Sequence, residues 1–300
     1  MEIYQLDVFT TIAGEGNPAG VVLKADRLDE KLLGEIARQT MLETAFGLQP
    51  FAKEAQLRLR YFAPNGQEMN LCSHATLAAL YLLGSLGQLT GDCVIETQAG
   101  LLQVSVQIEN GQVSRVLCQQ PNPTFNNGPF PPQEVAKALG LSLAQLQSSG
   151  LPLVAASTGR AKLLVPLADY ATLDSIELDR PALNALCQRF GLTGLYPFTL
   201  QPRNQGIQAE ARQFPYNLGF EEDPVTGLAM GALGAYLLHY SIVPAKEGQN
   251  YFVMEQGHAI GCPGRAEVFI CVEGGTIREV RIGGMAVIID KSTFDTGKFA

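Results

Sequence analysis

One stretch, Met69–Leu86 (MNLCSHATLAALYLLGSL), constrains this chain more than any other. From Ala75 to Leu83 nearly every residue is apolar, with Thr76 and Tyr81 as partial exceptions. A helix made of these residues leaves no face for water, so protein or lipid must wrap it. A bilayer span needs about 20 apolar residues, and this run is far shorter, so the wrapping must be protein. Asn70, Ser73 and His74 precede the apolar run, where the free N–H groups of a helix start need partners.

The same design returns at Glu221–Tyr240, EEDPVTGLAMGALGAYLLHY. Its apolar part runs from Leu228 to Leu238, and Asp223-Pro224 reads as an N-cap followed by proline at the first helical position. Two copies about 150 residues apart in a chain of 300 predict two similar halves, each with a central buried helix. The expected central helices are 74–86 and 224–240. The first half takes 1–120 plus a C-terminal strand at about 286–300, and the second takes 130–285. A helix start carries partial positive charge and unpaired N–H donors. Two such starts facing one another across a cleft would bind a small carboxylate.

Net charge is −8 and the isoelectric point is about 5.0. With no lysine or arginine run, this argues against nucleic acid or an anionic membrane as a partner. Hydrophobic content of 46% and a mean hydropathy of +0.09 supply material for two cores. The cysteines, Cys72, Cys93, Cys118, Cys187, Cys262 and Cys271, form no CxxC pair. Neither a structural metal site nor a disulfide framework is expected. The N-terminus MEIYQLDVF is neither a signal peptide nor a membrane span, and the expectation is a soluble protein of a reducing cytoplasm.

Along the chain, alternation predicts a strand at Glu2–Phe9, followed by a loop GEGNPAG (Gly14–Gly20) and a strand Val21–Leu23. Gly14-x-Gly16 is a weak phosphate signal, because no P-loop lysine follows. Asp29–Gln39 has amphipathic helical spacing, and Glu43-Thr44-Ala45-Phe46 opens the next strand. Further strands are expected at Gln56–Phe62, Cys93–Thr97, Leu101–Glu109 and Val113–Gln119. Pro121–Gln133 carries five prolines in thirteen residues and reads as a linker. Helices then fall at Gln133–Leu139, Ser142–Leu146 and Asp179–Phe190. Strands fall at Leu153–Ser157, Ala161–Pro166, Gly194–Gln201, Ile207–Phe214, Tyr251–Gln256, Glu267–Glu273, Ile277–Ile282 and Ala286–Asp290. Many strands with one enclosed helix per half define an α+β fold, each mostly antiparallel sheet curled around its helix.

Two readings are open at Glu43. It is a solvated turn residue, or a carboxylate made a stronger base by its neighbours Leu42, Ala45 and Phe46. His74 and Asp223 are open in the same way, between capping or core roles and roles at a site.

The motifs in order resemble those of the phenazine-biosynthesis-like (PhzF) family of isomerases, with the diaminopimelate-epimerase-like fold. They are DVFT with GNPAGVVL (Asp7–Leu23), ETAF (Glu43–Phe46), CSHATLAALYLL (Cys72–Leu83), STGRAKLLVPL (Ser157–Leu167), EEDPVTGLAMGALGAYL (Glu221–Leu237), EQGHAIGCPGR (Glu255–Arg265) and GGMAVII (Gly283–Ile289). The resemblance implies two pseudo-symmetric domains with the site in the cleft between them, a homodimer, and neither cofactor nor metal. It also implies catalytic roles for Glu43, which would shuttle a proton, and for His74 and Asp223. Ser73, Ala75, Thr226, Gly227 and Leu228 would bind the substrate, a small carboxylic acid. Two positions depart from the family pattern: Ser73 stands where glycine is usual before the histidine, and Leu228 where a small polar residue usually follows DPxTG. Leu228 removes a hydroxyl from the expected pocket.

A hydrogen on carbon beside a carbonyl or unsaturated carboxylate is removed by a positioned base, with the resulting anion stabilised by preorganised donors. Glu43 with two helix starts answers that need. Two other readings share the fold. One is a binder of small carboxylates without turnover, favoured by Leu228. The other is a thiol epimerase, disfavoured because DPVTG offers no cysteine to face Cys72, which reads as a small buried residue.

Overall fold

In the computed structural model, which describes residues 1–294, the chain forms two units. One comprises Met1–Gln119 together with the chain from Arg281 onward, and the other Gln120–Val280. The first unit holds β1 (Glu2–Val8), β2 (Asn17–Val22), α1 (Glu30–Thr40), β3 (Thr44–Leu48), β4 (Leu57–Phe62), β5 (Glu68–Met69), α2 (Ser73–Ser85), β6 (Gly91–Thr97), β7 (Gly100–Glu109) and β8 (Gln112–Gln120). β1 pairs antiparallel with β2 and, from Glu2↔Thr293 to Val8↔Ala286, with the strand Ala286–Thr293. β2 and β3 run parallel, as do β4 and β6; the other pairings from β3 to β8 are antiparallel.

α2 touches β1, β2, β3, β7 and the strand Ala286–Thr293, so the sheet curls around it. The apolar run dictates this arrangement. Leu77, Ala78, Ala79, Leu80 and Leu82 are fully buried, and each leucine withdrawn from water contributes about 1.5–3 kcal/mol. Gly84 lets the sheet come close, since a Cβ there would lie 2.6 Å from Val106 Cγ1.

The second unit holds β9 (Thr124–Asn126), α3 (Pro132–Ala138), α4 (Leu143–Gln147), β10 (Val154–Ser157), β11 (Lys162–Leu167), α5 (Tyr170–Asp174), α6 (Arg180–Phe190), β12 (Gly194–Thr199), β13 (Ala209–Ala211), β14 (Phe214–Pro215), α7 (Gly227–His239), β15 (Gly248–Gln256) and β16 (Gly264–Glu273). β17 (Thr276–Gly284) and β18 (Ala286–Thr293) close the chain. α7 is buried from Gly227 to Leu238 and packs on β10 and β16. On a separate apolar core, α3, α4 and α6 pack with β11 and β12 through Val135, Leu146, Leu163, Val165, Leu183, Leu186 and Leu195. The architecture is α+β, with a curled, mostly antiparallel sheet and one central helix in each unit, as expected.

Several expectations need correction. β2 begins at Asn17 rather than Val21, because its ladder with β1 extends to Val8↔Asn17. Pro18 is tolerated because β3 joins β2 only from Gly20 onward, leaving that end of β2 with one neighbour. Asp223-Pro224 does not start the second central helix. That helix starts at Gly227 with Thr226 as N-cap, while Asp223 N donates to Gln213 O at 3.0 Å. The proline-rich segment is not a bare linker: Thr124–Asn126 pairs with β10, and Pro132 opens α3. The strand expected over Ile207–Phe214 is two short strands, β13 and β14. α5 was not foreseen; Asp169 caps it through Thr172 N at 2.8 Å. The expected C-terminal strand is present over Ala286–Thr293, and its positions 295–300 lie outside the described residues. Among the described residues, no helix is long and apolar enough to cross a membrane.

Candidate active site

In the first unit, local structure delivers Glu43 to the start of α2. Asp29 caps α1 by accepting from Leu32 N at 2.8 Å, and α1 ends at Met41 in the left-handed region, φ 55°. The chain then reverses into β3. Gly20 N donates to the Glu43 carbonyl at 3.0 Å, fixing the residue at the mouth of the parallel β2–β3 pair. Only glycine fits at position 20, where a Cβ would lie 2.6 Å from Thr44 Oγ1.

The Glu43 carboxylate meets two side chains from the α2 start. Cys72 Sγ donates to Glu43 Oε2 at 3.0 Å, and His74 Nε2 lies 3.4 Å from the same oxygen. His74 Nδ1 is 3.5 Å from Cys72 Sγ and 3.5 Å from the amide nitrogen of Asn17, the first residue of β2. When Asn17 donates to Nδ1, the ring proton sits on Nε2 and points at Glu43. Cys72, His74 and Asn17 are buried, while the Glu43 side chain keeps 11% exposure. A carboxylate in this setting is held by donors on one side and retains access to solvent on the other.

Ser73 and Ala75 flank His74 in the first turn and are buried. No side chain caps α2, so the first-turn N–H groups keep their capacity to hold an anion. The backbone at this point is braced from behind. The Thr76 hydroxyl donates to Cys72 O at 2.7 Å and receives the Tyr61 hydroxyl, also at 2.7 Å. Burial raises the Tyr61 phenol well above its ordinary range, so it stays a donor.

The second unit groups Asp223, Thr226, Gly227 and Leu228 at the start of α7, again with no side-chain cap. The Thr226 hydroxyl donates to the Asp223 carboxylate. Gln256, the last residue of β15, holds the turn from below. Its Nε2 donates to Asp223 O at 2.6 Å and to Thr226 Oγ1 at 3.1 Å, and its Oε1 accepts from Thr226 N at 3.1 Å. Tyr196 donates to Gln256 Oε1 at 3.1 Å; burial, then the nearby Asp223 charge, raises its phenol well above the usual range. Each central helix thus starts on a turn braced by a buried tyrosine relay. The Gly227 carbonyl accepts from Gln120 Nε2 at 2.9 Å and the Leu228 carbonyl from Thr158 Oγ1 at 2.8 Å. The Leu228 side chain is buried.

Next to Gln256, Glu255 is buried among Arg265 at 2.6 Å, Asn204 at 2.8 Å and His258 at 3.0 Å. Desolvation alone would raise its carboxyl, but the bonds from His258, Asn204 and Arg265 outweigh burial and lower it to about 2.

Glu43 and His74, picked out in the sequence, come together in the first unit; Asp223 belongs to the second. Two contributors, Asn17 and Gln256, escaped the sequence reading, as did one contact. Cys72 is a small buried residue, as expected, but it also shares the Glu43 carboxylate with His74. Asn17 backs the histidine, and Gln256 supports the Asp223–Thr226 turn. Their signals were weak: Cys72 lies two residues before His74, Asn17 sits in GNPAG, and Gln256 in EQGHAIG.

A family model described as phenazine biosynthesis-like protein (PhzC-PhzF) matches residues 6–292. The chain is 34% identical over 297 residues to a protein of Escherichia coli (strain K12) named uncharacterized isomerase YddE, covering 96% of each. Its fold is similar to that of a PhzF-family phenazine biosynthesis protein from Bacillus anthracis, with a TM-score of 0.88 and 30% identity over 97% of this chain and 98% of that one. A Pseudomonas aeruginosa protein described as a predicted epimerase matches with a TM-score of 0.81 and 25% identity over 98% and 99% of the two chains. Nearly the whole chain therefore carries one resemblance, in sequence and in fold. The chain belongs to the phenazine biosynthesis-like (PhzC-PhzF) family of isomerases.

Proposed function

We propose that this isomerase moves a proton within a small carboxylic acid, with Glu43 taking the proton from one carbon and returning it to another. The observation that carries this reading is the Glu43 carboxylate itself, 3.4 Å from His74 Nε2 and 3.0 Å from Cys72 Sγ beside an uncapped helix start. A single base that keeps the abstracted proton can deliver it to a second carbon of the same substrate. His74 donates to the developing charge on the reacting carbonyl or carboxylate. The N–H groups of Ser73 and Ala75 supply fixed donors that need no reorganisation. For Asp223, Thr226, Gly227 and Leu228 of the second unit, the family resemblance supports a part in holding the substrate. The reaction needs no cofactor in this scheme. The six free thiols fit a reducing cytoplasm, and the family resemblance favours a homodimer, which light scattering on the purified protein tests.

The decisive experiment is solvent deuterium wash-in across a panel of small unsaturated and α-substituted acids. The parent protein is expected to exchange one carbon-bound hydrogen of an accepted acid. Glu43→Gln is expected to slow this by about 10²–10⁴-fold with the circular dichroism spectrum unchanged. Exchange at the parental rate in the folded variant removes Glu43 from the mechanism. The position of Cys72 favours a second reading, in which its thiol is the base and Glu43 orients it. In that case Cys72→Ala abolishes exchange as fully as Glu43→Gln. Under the main reading it slows exchange far less, because the thiol only positions the carboxylate.

A further inference from the structure

The three side chains at the start of α2 have a donor set that proton transfer does not require. Glu43 Oε2, Cys72 Sγ and a ring nitrogen of His74 lie within 4.8 Å of one another. The separations are 3.0 Å from sulfur to oxygen, 3.4 Å from oxygen to Nε2 and 3.9 Å from sulfur to Nε2. Tetrahedral zinc, with bonds of about 2.0–2.3 Å, spaces its donors about 3.3–3.6 Å apart. The triangle already has that size, and side-chain shifts of about half an ångström would regularise it.

Two further features suit a metal. Cys72 and His74 are buried, with 4% and 5% exposure, so bound cations would be shielded on the protein side. Asn17 lies 3.5 Å from His74 Nδ1, the nitrogen that a cation on Nε2 leaves free. With its amide turned so that oxygen faces Nδ1–H, Asn17 would orient the ring as the outer partners of metal-bound histidines do.

We propose that Glu43, Cys72 and His74 form a three-donor site for a borderline-soft divalent cation, with Zn²⁺ the best match, leaving a fourth position open to solvent. A mixed sulfur, nitrogen and carboxylate set selects against Mg²⁺ and Ca²⁺, which take oxygen ligands. On binding, the Cys72 thiol releases its proton to solvent. The thiolate, the carboxylate and the imidazole lone pair replace three waters of the hydrated ion, and no oxidation state changes. Because Glu43 and His74 are the groups assigned above to proton transfer, the bound cation withdraws the base from turnover. That consequence rests on the proposed function; the binding itself does not.

Chelator-treated protein titrated with Co²⁺, and then with Zn²⁺, tests the site. One equivalent of Co²⁺ is expected to give a thiolate-to-cobalt charge-transfer band and the intense visible bands of a tetrahedral centre. Zn²⁺ should abolish both by displacement. Cys72→Ser should lose the charge-transfer band and bind at least about 100-fold more weakly, the upper end of what removing a mere outer partner costs. A wild-type spectrum of hydrated octahedral cobalt overturns the proposal without reference to any variant. So does a charge-transfer band that survives in Cys72→Ser, since one of the other five thiols would then be the ligand. Zn²⁺ that binds through Cys72 yet leaves deuterium exchange at its full rate upholds the site and removes Glu43 from the mechanism. Loss of exchange in Glu43→Gln without any cobalt band leaves the mechanism standing and removes the site.

Discussion

Glu255 sits at the end of β15 as a buried charge with three partners, and its lowered carboxyl has a direct consequence for stability. The folded state holds the charged form, so stabilisation is complete above about pH 5 and fades as the pH falls toward about 2. The shift corresponds to about 2–3 kcal/mol, discounted because Arg265 reaches the surface. Glu255→Gln is therefore expected to lower the melting temperature markedly at pH 7, by less than half as much near pH 3 and only slightly near pH 2, as thermal denaturation across pH will show. At Leu228 the expected effect is on selectivity. Restoring a hydroxyl with Leu228→Ser should raise kcat/KM for hydroxyl- or amino-bearing acids relative to apolar ones by 10-fold or more, at some cost in stability because the side chain is buried. A panel of competing acids measures this ratio. Glu43 and His74 were legible in the sequence because each occupies a recognisable junction. Cys72 is buried, as its sequence reading had it, but its bond to Glu43 was not legible because the two are 29 positions apart, and the packing of Asn17 against His74 spans 57. Local patterning carries no information about such pairings.

The central helices were the most legible elements, since thirteen-residue segments with no polar face admit one environment. Their interiors are packed by small residues as much as large ones. In α7, a Cβ on Gly231 would lie 1.9 Å from Gln120 Oε1. Gly231→Ala would push that side chain away and leave the Gly227 carbonyl without its donor, a loss of about 1–3 kcal/mol. In α2, Leu80 is fully buried, and Leu80→Ala should cost about 2–5 kcal/mol. Chemical denaturation of both variants checks the pair; an effect under 1 kcal/mol at Leu80 would mean that the sheet closes onto the space. What the pattern failed to show at this scale is how the second helix begins. Asp223-Pro224 has the residue types of a helix start, but Gln213 and Gln256 hold the Asp223 backbone in another arrangement. Those ties come from β15 and the β13–β14 segment, which no local signal brings to the turn.

For the whole molecule, the duplication of one pattern at two places in the chain was enough to predict a two-unit α+β fold. Paired alternating runs, such as Cys93–Thr97 with Leu101–Glu109, mark neighbouring strands. The alternation within Ala286–Asp290 says only that it is a strand, not that β1 is its partner. Deleting residues 281–300 is expected to unfold the first unit while a fragment of residues 120–280 keeps a cooperative melt; calorimetry of the two forms distinguishes them. The pairing of β1 with β18 joins the opening strand of the chain to its closing one. During synthesis about 280 residues are added between β1 and the strand that pairs with it. Glu43 and His74 are translated more than about 200 residues before β18, yet the sheet around their helix stays open until that strand appears. A growing polypeptide therefore holds the Glu43–His74 pair long before it holds the framework that lets the pair act, and products truncated before β18 are expected to be inert.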